Sequence, residues 1–436
     1  MTALALAGCA GGHATALDAG ADGGLDSGPV DSDGGPGADG GCAFTGLFIG
    51  GDGDDLVQAL LTVPQGVLVG GYVNGVLGNT NIEPDGDSRG FVRLIDTTGA
   101  QRWETTFETS GSDSVEALAF DGQGHILVAG RTTGSFPGFT NGGQQDLFVA
   151  LLDAETGAVQ KLVQRGDERP QHPRAIAFTA GTGPGRGPSS TGASLSPLAD
   201  PYVPSNYAHS WENPFVARFT DLESATTTSY VADRTSVPDL AEGLARASAT
   251  STDFLVSGVL TGGPSRGLFL RRVGLDGSVR YQVRLSGTGL ESPGPLIALD
   301  DGTLWMSAGW IRSTGTSDLV VFHLRAEDGA VLDAIDFPTP DMAEQAGGFA
   351  RDAHGDLWIA GSAGNDSTGL LAQVTHLDSA GAFVESWTRT GGEQDLVTSL
   401  AIDACGHVLV GGSTEATANG KADGFVLRAP FPLHER

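Results

Sequence analysis

Lysine is almost missing from this chain. Only Lys161 and Lys421 occur in 436 residues, and Lys and Arg together number 24 against 53 Asp and Glu, a formal charge of −29. Such a surface repels nucleic acid and anionic lipid headgroups, which argues against binding either through charge. No apolar run reaches the length of a membrane-spanning helix. No nucleophile motif, zinc-ligand spacing or phosphate-binding loop is present, so the common enzyme signatures are absent. Cysteine is limited to Cys9, Cys42 and Cys405. What the chain has in abundance is glycine, 67 residues of it, in a length that suits two or three ordinary domains or one large repeat array.

The first forty residues read as an address and a tether. Leu6-Ala7-Gly8-Cys9 resembles a bacterial lipobox, in which the cysteine is acylated and becomes the mature N-terminus. Only five residues precede the box and none is basic, so this reading rests on the tetrapeptide and on the stretch that follows it. Residues 10–41 are Gly, Ala, Asp and Pro with almost no large apolar side chain. Such a stretch cannot bury enough surface to offset chain entropy and is expected to be a disordered acidic linker. A flexible chain of that length spans about 30 Å. The layout is a lipid anchor at Cys9, a tether, and a folded domain over 42–436. The alternative is a plain disordered tail, which leaves Cys9 unexplained.

The folded part repeats itself. "FDGQGHILVAG" (120–130), "RDAHGDLWIAG" (351–361) and "IDACGHVLVGG" (402–412) share an Asp, a Gly turn, an apolar run and a closing small-Gly pair. That pair recurs at Gly71, Gly130, Gly258, Gly309, Gly361 and Gly412. A period in the fifties suggests a propeller or a solenoid. One unit holds four strands: "VEALAF" (115–120), "HILVAG" (125–130), "DLFVALLD" (146–153) and the polar "QKLVQR" (160–165). Two central strands covered on both faces and a wetter outer strand describe a propeller blade. "DGQG", "DAETG", "DTTG", "LDG" and "AEDG" supply the hairpins. The spacing predicts an all-β, seven-bladed propeller of four-stranded antiparallel blades at about 55–107, 114–165, 173–231, 240–286, 294–337, 346–390 and 397–429. The last unit has three strands. Residues 43–50 are expected to supply its fourth by pairing with 424–429, closing the ring.

Over 91–138 the chain resembles the SBBP family, the bacterial beta-propeller repeat proteins. The order of a Phe-Val strand, a Gly turn, a Gly-rich Asp turn and an Asp-containing hairpin carries the likeness, strongest at 91–165 and 370–428. It weakens at 267–325 and nearly fails in the third unit. The resemblance implies a propeller on a bacterial surface or secreted protein and no single activity. "DAETG" also resembles quinoprotein propeller repeats, whose recurrent docking Trp is absent here. Trp103, Trp305, Trp358 and Trp387 read as core packing.

With Cys9 lipidated, Cys42 and Cys405 remain. In the propeller arrangement both lie in the last blade, on the face away from the blade-to-blade turns. A Cys42–Cys405 disulfide is therefore expected to staple the ring, as suits an extracytoplasmic compartment. The chain-entropy relation gives roughly 6 kcal/mol for so long a loop, an upper limit. Two buried thiols are the alternative.

Two features bear on ligands. Asp54, Asp113, Glu344 and Asp395 each stand 17 residues before their small-Gly anchor. Carboxylates repeated around one channel mouth would attract calcium, although no DxDxDG cage accompanies them and turn capping explains them equally. The third unit carries an insertion, 181–214, rich in Gly, Ser and Pro and ending in Tyr202, Tyr207, His209 and Trp211. Long irregular loops in compact arrays are often functional, and aromatic faces suit sugar rings or peptide segments. His172 is expected on the same face. The reading that follows is a cell-envelope lipoprotein, at the outer membrane or cell surface, whose propeller is a non-catalytic binding or scaffolding platform for a glycan or protein. It needs no cofactor, and it is secreted if the lipobox is unused. The rivals are a carbohydrate-active lyase or hydrolase using His172, His209 and Tyr207, and a quinone-dependent propeller relative.

Overall fold

Each apolar run is long enough for a strand, too short for a helix, and bounded by turn residues. In the computed structural model each becomes a strand. Described are residues 42–430 except 51–52, 76–87, 167–170, 179–214, 220–226, 232–239, 249–250, 261–266, 275–277, 286–291, 312–316, 338–342, 366–368, 390–393 and 416–420. They form an all-β propeller with six four-stranded antiparallel blades. Strand β1 (Gly46–Ile49) belongs to the last of them. Blade one is β2 (Asp54–Val63), β3 (Gly66–Gly75), β4 (Arg89–Ile95) and β5 (Gln101–Phe107). Blade two is β6 (Asp113–Phe120), β7 (His125–Thr132), β8 (Asp146–Asp153) and β9 (Val159–Arg165). The third unit has β10 (Phe215–Phe219) and β11 (Thr227–Val231), which among the described residues pair only with each other. Blade four is β12 (Leu240–Arg246), β13 (Phe254–Leu260), β14 (Gly267–Val273) and β15 (Val279–Arg284). Blade five is β16 (Ser292–Ala298), β17 (Thr303–Ile311), β18 (Ser317–Arg325) and β19 (Val331–Phe337). Blade six is β20 (Ala343–Arg351), β21 (Leu357–Asn365), β22 (Gly369–Leu377) and β23 (Phe383–Thr388). Blade seven is β24 (Asp395–Ile402), β25 (Val408–Thr414) and β26 (Asp423–Arg428), with β1 on its outer edge.

Two expectations are corrected. Among the described residues the four-stranded blades number six, not seven. In the third unit, 181–214 stands where an apolar second strand is needed, and its Gly, Ser and Pro supply no run that could be covered on both faces. A closed seven-bladed ring is likewise not formed by the N-terminal strand. The continuous run of packed blades goes from four through five, six, seven and one to two, and the N-terminal strand lies inside it. Within blade seven that strand pairs antiparallel with β26, Leu47 opposite Val426 and Phe48 opposite Phe425, over 46–49 rather than 43–50.

The core is built between blades. Phe107, Phe136 and Phe148 meet at the seam of blades one and two, with ring centroids 5.0 to 6.5 Å apart. Leu304, Met306, Leu268 and Leu270 fill the seam of four and five. Phe44, Leu47, Ile49, Val69, Phe91 and Val426 fill that of seven and one. Each fully buried side chain of this size contributes about 1.5–3 kcal/mol of transfer free energy. The tryptophans pack as expected. Trp305 stacks on His323 and Trp358 on His376, with centroids 4.1 and 3.9 Å apart.

The small-Gly anchor has a steric cause. A Cβ on Gly71, Gly130 or Gly412 would stand 2.0, 2.3 or 2.0 Å from a carbonyl oxygen of the first strand, that of Leu56, Ser114 or Leu396. Only glycine lets the second strand come so close. At the outer hairpins the Asp of each turn holds it: Asp96 Oδ1 accepts from the N–H of Thr98 and Ala100 at 2.8 and 3.0 Å.

Candidate functional site

First strands of consecutive packed blades contact one another, so they surround the propeller axis. Every one of the six carries a β-bulge at one equivalent place. The bulged residues are Gln58, Glu116, Glu242, Gly294 with Pro295, Gly347 and Thr398. A bulge inserts one residue into a strand and re-aims it, which is why bulges gather near binding sites. Here the inserted residues divide by chemistry. Blades one, two and four present an amide and two carboxyls. Blades five and six present Gly294 with Pro295 and Gly347, which carry no polar side chain, and blade seven presents Thr398, whose hydroxyl donates to Val57 O. Packing explains the two glycines: a Cβ at Gly347 would stand 2.1 Å from Val397 O, and one at Gly294 2.7 Å from Ser307 O.

Glu116 and Glu242 flank the segment 171–178, which runs from blade two towards blade four. Gln171 N–H donates to Gln145 O at 2.8 Å, and Ile176 packs on the face of blade two. Arg131, on β7 just past the Gly130 anchor, is the hub. Its Nε donates to Glu116 Oε1 at 2.9 Å, with only 3% and 6% of the two side chains exposed. Its Nη1 donates to Gln145 Oε1 at 3.3 Å and to His172 Nδ1 at 2.8 Å. Ser114 Oγ donates to Glu116 Oε1 at 2.6 Å. On the blade-four side, Arg174 Nε stands 3.8 Å from Glu242 Oε2.

Burial sets the protonation states. His172 is pushed down to about 3, first by burial and then by the guanidinium groups of Arg131 and Arg174, so it is neutral. Its Nδ1 accepts from Arg131, which leaves the proton on Nε2. Burial also raises the carboxyl of Glu242, with Glu116 adding to the effect and Arg174 opposing it. Tyr72, on β3, is fully buried, and its Oη has no hydrogen-bond partner among the described residues. Burial and then Glu116 hold its proton on, against Arg131. Nearby, Asn74 adopts φ 61°, held by its N–H on Asp55 Oδ1 at 2.7 Å. The assembly is a set of donors and acceptors in fixed orientation, with its charges paired.

The residues expected from sequence divide as follows. His172 lies in the cluster. Tyr202, Tyr207, His209 and Trp211 lie outside the described residues, as do Cys9 and the 10–41 linker. Of the four acids, Asp113, Glu344 and Asp395 share a register, opposite Thr132, Ala363 and Thr414. Asp54 does not: it faces Gly75, because β2 carries a second register shift. Asp113 is capped by Thr109, whose N–H donates at 2.6 Å, and burial raises its carboxyl to about 6. Asp395 takes Arg389 at 2.7 Å, and Asp54 Oδ1 takes the N–H of Ala422 at 2.8 Å. The side chain of Glu344 is outside the described residues. Cys42 and Cys405 are joined in a disulfide with Cα atoms 6.3 Å apart. Sequence reasoning missed Glu116, Glu242, Gln58, Arg131, Arg174 and Tyr72. The signal was present: a polar residue followed by a small one breaks the alternation in V-Q-A (57–59), V-E-A (115–117), A-E-G (241–243) and V-T-S (397–399).

No protein-family model matches the chain, and no curated protein does. Among solved structures, the crystal structure of Sqt1 from Chaetomium thermophilum is similar, with 12% identity, a TM-score of 0.45, and coverage of 86% of this chain and 96% of that chain.

Proposed function

We propose that the propeller is a non-catalytic binding platform whose ligand sits over the junction of blade two, the 171–178 segment and blade four. The observation that carries this is the division of the bulges. Among the described residues the bulges bring carboxyl groups to the axis only in blades two and four, next to a neutral His172 and the Arg174–Glu242 pair. Paired charges and an uncharged imidazole favour a ligand rich in hydroxyl or amide groups, a glycan or an extended peptide. The insertion 181–214 supplies aromatic faces in the same stretch of chain. A lipid on Cys9, the acidic tether, SBBP-type repeats and an envelope location belong to the same proposal. The lipobox-like tetrapeptide, the linker composition and the disulfide support them.

The test is a glycan and peptide array probed with the full chain carrying Cys9→Ser. Arg174→Ala and Glu242→Gln are run beside it, with a Tyr207→Ala/Trp211→Ala double variant. A ligand class retained by the parent and lost in the Arg174 and Glu242 variants is expected. Binding that ignores these substitutions would place the site elsewhere.

A further inference from the structure

The hairpin between β24 and β25 reads Asp403-Ala404-Cys405-Gly406-His407. Asp403 Oδ1 accepts the N–H of both Cys405 and His407 at 2.8 Å, which fixes the turn. His407 Nδ1 lies 3.1 Å from Asp403 Oδ2 and donates to it. One ligand atom each from Asp403, Cys405 and His407 falls within 4.8 Å of the others. Cys42 brings a fourth donor, since its sulfur is bonded to that of Cys405. Sulfur, sulfur, imidazole and carboxylate form a set that suits a tetrahedral, thiophilic divalent cation. In the oxidised protein the disulfide occupies both sulfurs.

We propose that reducing the Cys42–Cys405 bond converts this corner into a binding site for Zn²⁺ or a similar cation, so that Cys405 serves either a covalent staple or a metal centre. A phosphine reductant takes oxygen from water, leaves as its oxide, and yields two thiols. The thiols then release two protons as both sulfurs bind the cation. The Nδ1 proton of His407 moves to Nε2, and the cation replaces the hydrogen bond between His407 and Asp403. The shift this requires is small, because the atoms of Asp403, Cys405 and His407 already converge and the Cys42 sulfur is in bonding distance of that of Cys405. Blade two provides an internal control. Its hairpin, Asp121-Gly122-Gln123-Gly124-His125, has the same Asp–His contact at 2.7 Å, with glutamine where Cys405 stands.

The experiment uses the full chain with Cys9→Ser, reduced by a phosphine without oxygen and titrated with Co²⁺. One Co²⁺ per chain is expected, with a thiolate-to-cobalt charge-transfer band and the strong visible bands of tetrahedral cobalt, both displaced by Zn²⁺. Oxidised protein should show neither. Cys405→Ser should lose the charge-transfer band, and His407→Ala should bind at least about tenfold more weakly. His125→Ala should behave as the parent. Cys42→Ser frees Cys405 without any reductant and should retain a weaker thiolate band. No thiolate band in the reduced parent would overturn the proposal. So would unaltered affinity in both Cys405→Ser and His407→Ala, or loss of β-sheet circular dichroism in both the reduced parent and Cys42→Ser, because the site must be preformed by the fold.

Discussion

At the seam of blades seven and one, Phe44, Leu47, Ile49, Val57, Phe91 and Val426 interlock, and the Cys42–Cys405 bond ties the segment before β1 to the hairpin between β24 and β25. At the junction bounded by blades two and four, Glu116, Arg131, His172, Arg174 and Glu242 occupy the ground between the sheets. The first seam is apolar and stitched through backbone carbonyls: Asp55 N–H donates to Ala422 O at 2.7 Å, and the Thr398 hydroxyl donates to Val57 O. The second is polar and held by side chains. Apolar seams gain free energy from every methylene they cover. Buried ion pairs roughly balance their own desolvation and supply orientation instead. The contrast separates the part of the propeller built for stability from the part built to present groups.

The contrast is broken most severely at Arg131. Arg131→Met strips the partner from Glu116 and leaves a buried carboxylate unpaired, which costs about 3–5 kcal/mol. Urea denaturation should show it. The double variant Arg131→Met/Glu116→Gln should recover most of that loss while abolishing ligand binding. A double variant no better than the single one would mean that the guanidinium stabilises through packing alone.

On the apolar side, Ile49→Ala removes a fully buried side chain from β1. A loss of about 2–4 kcal/mol is expected, with ligand binding intact in the protein that remains folded. Should Ile49→Ala weaken binding as much as it weakens folding, the two seams are coupled and the division drawn above fails.

The apolar seams were legible in the sequence and the polar junction was not. Blade limits could be read because β7 and β8 are apolar on both faces, and "DTTG" or "AEDG" marks the hairpins. Pairing of β1 with β26 could be read because "CAFTGLFIGG" has the character of an outer strand. The bulges escaped because period-two reasoning has no place for an extra residue. Glu116 reads as an exposed side chain in an alternating strand until Val115 and Ala117 are seen to oppose Gly130 and Ala129 with nothing between them. Arg131 sits one residue past a glycine needed for steric reasons and looks like the end of a strand. Equal spacing of the acids from their anchors also misled at Asp54, where the second shift in β2 shows only in its pairing.

The finest test of the comparison is its pH dependence. His172 is held near 3 in the fold, below the ordinary imidazole value of 6.5. A group with a depressed native pKa contributes its stability above the unfolded value and loses it as pH falls towards the native one. The window therefore runs from about 6.5 down to about 3, within which the unfolded chain takes up a proton that the folded chain refuses. His172→Gln keeps an acceptor for Arg131 Nη1 and cannot titrate. At pH 7 it should match the parent. At pH 5 it should be more stable than the parent by roughly 1 kcal/mol, the linkage value being reduced because the ring is only half-buried. Carboxylates elsewhere titrate in both proteins and cancel in the difference. A difference that stays flat from pH 7 to 4 would show that His172 takes its proton without hindrance. The 171–178 segment would then be opening to solvent beside Arg131, and the polar junction would lose its claim to fixed orientation.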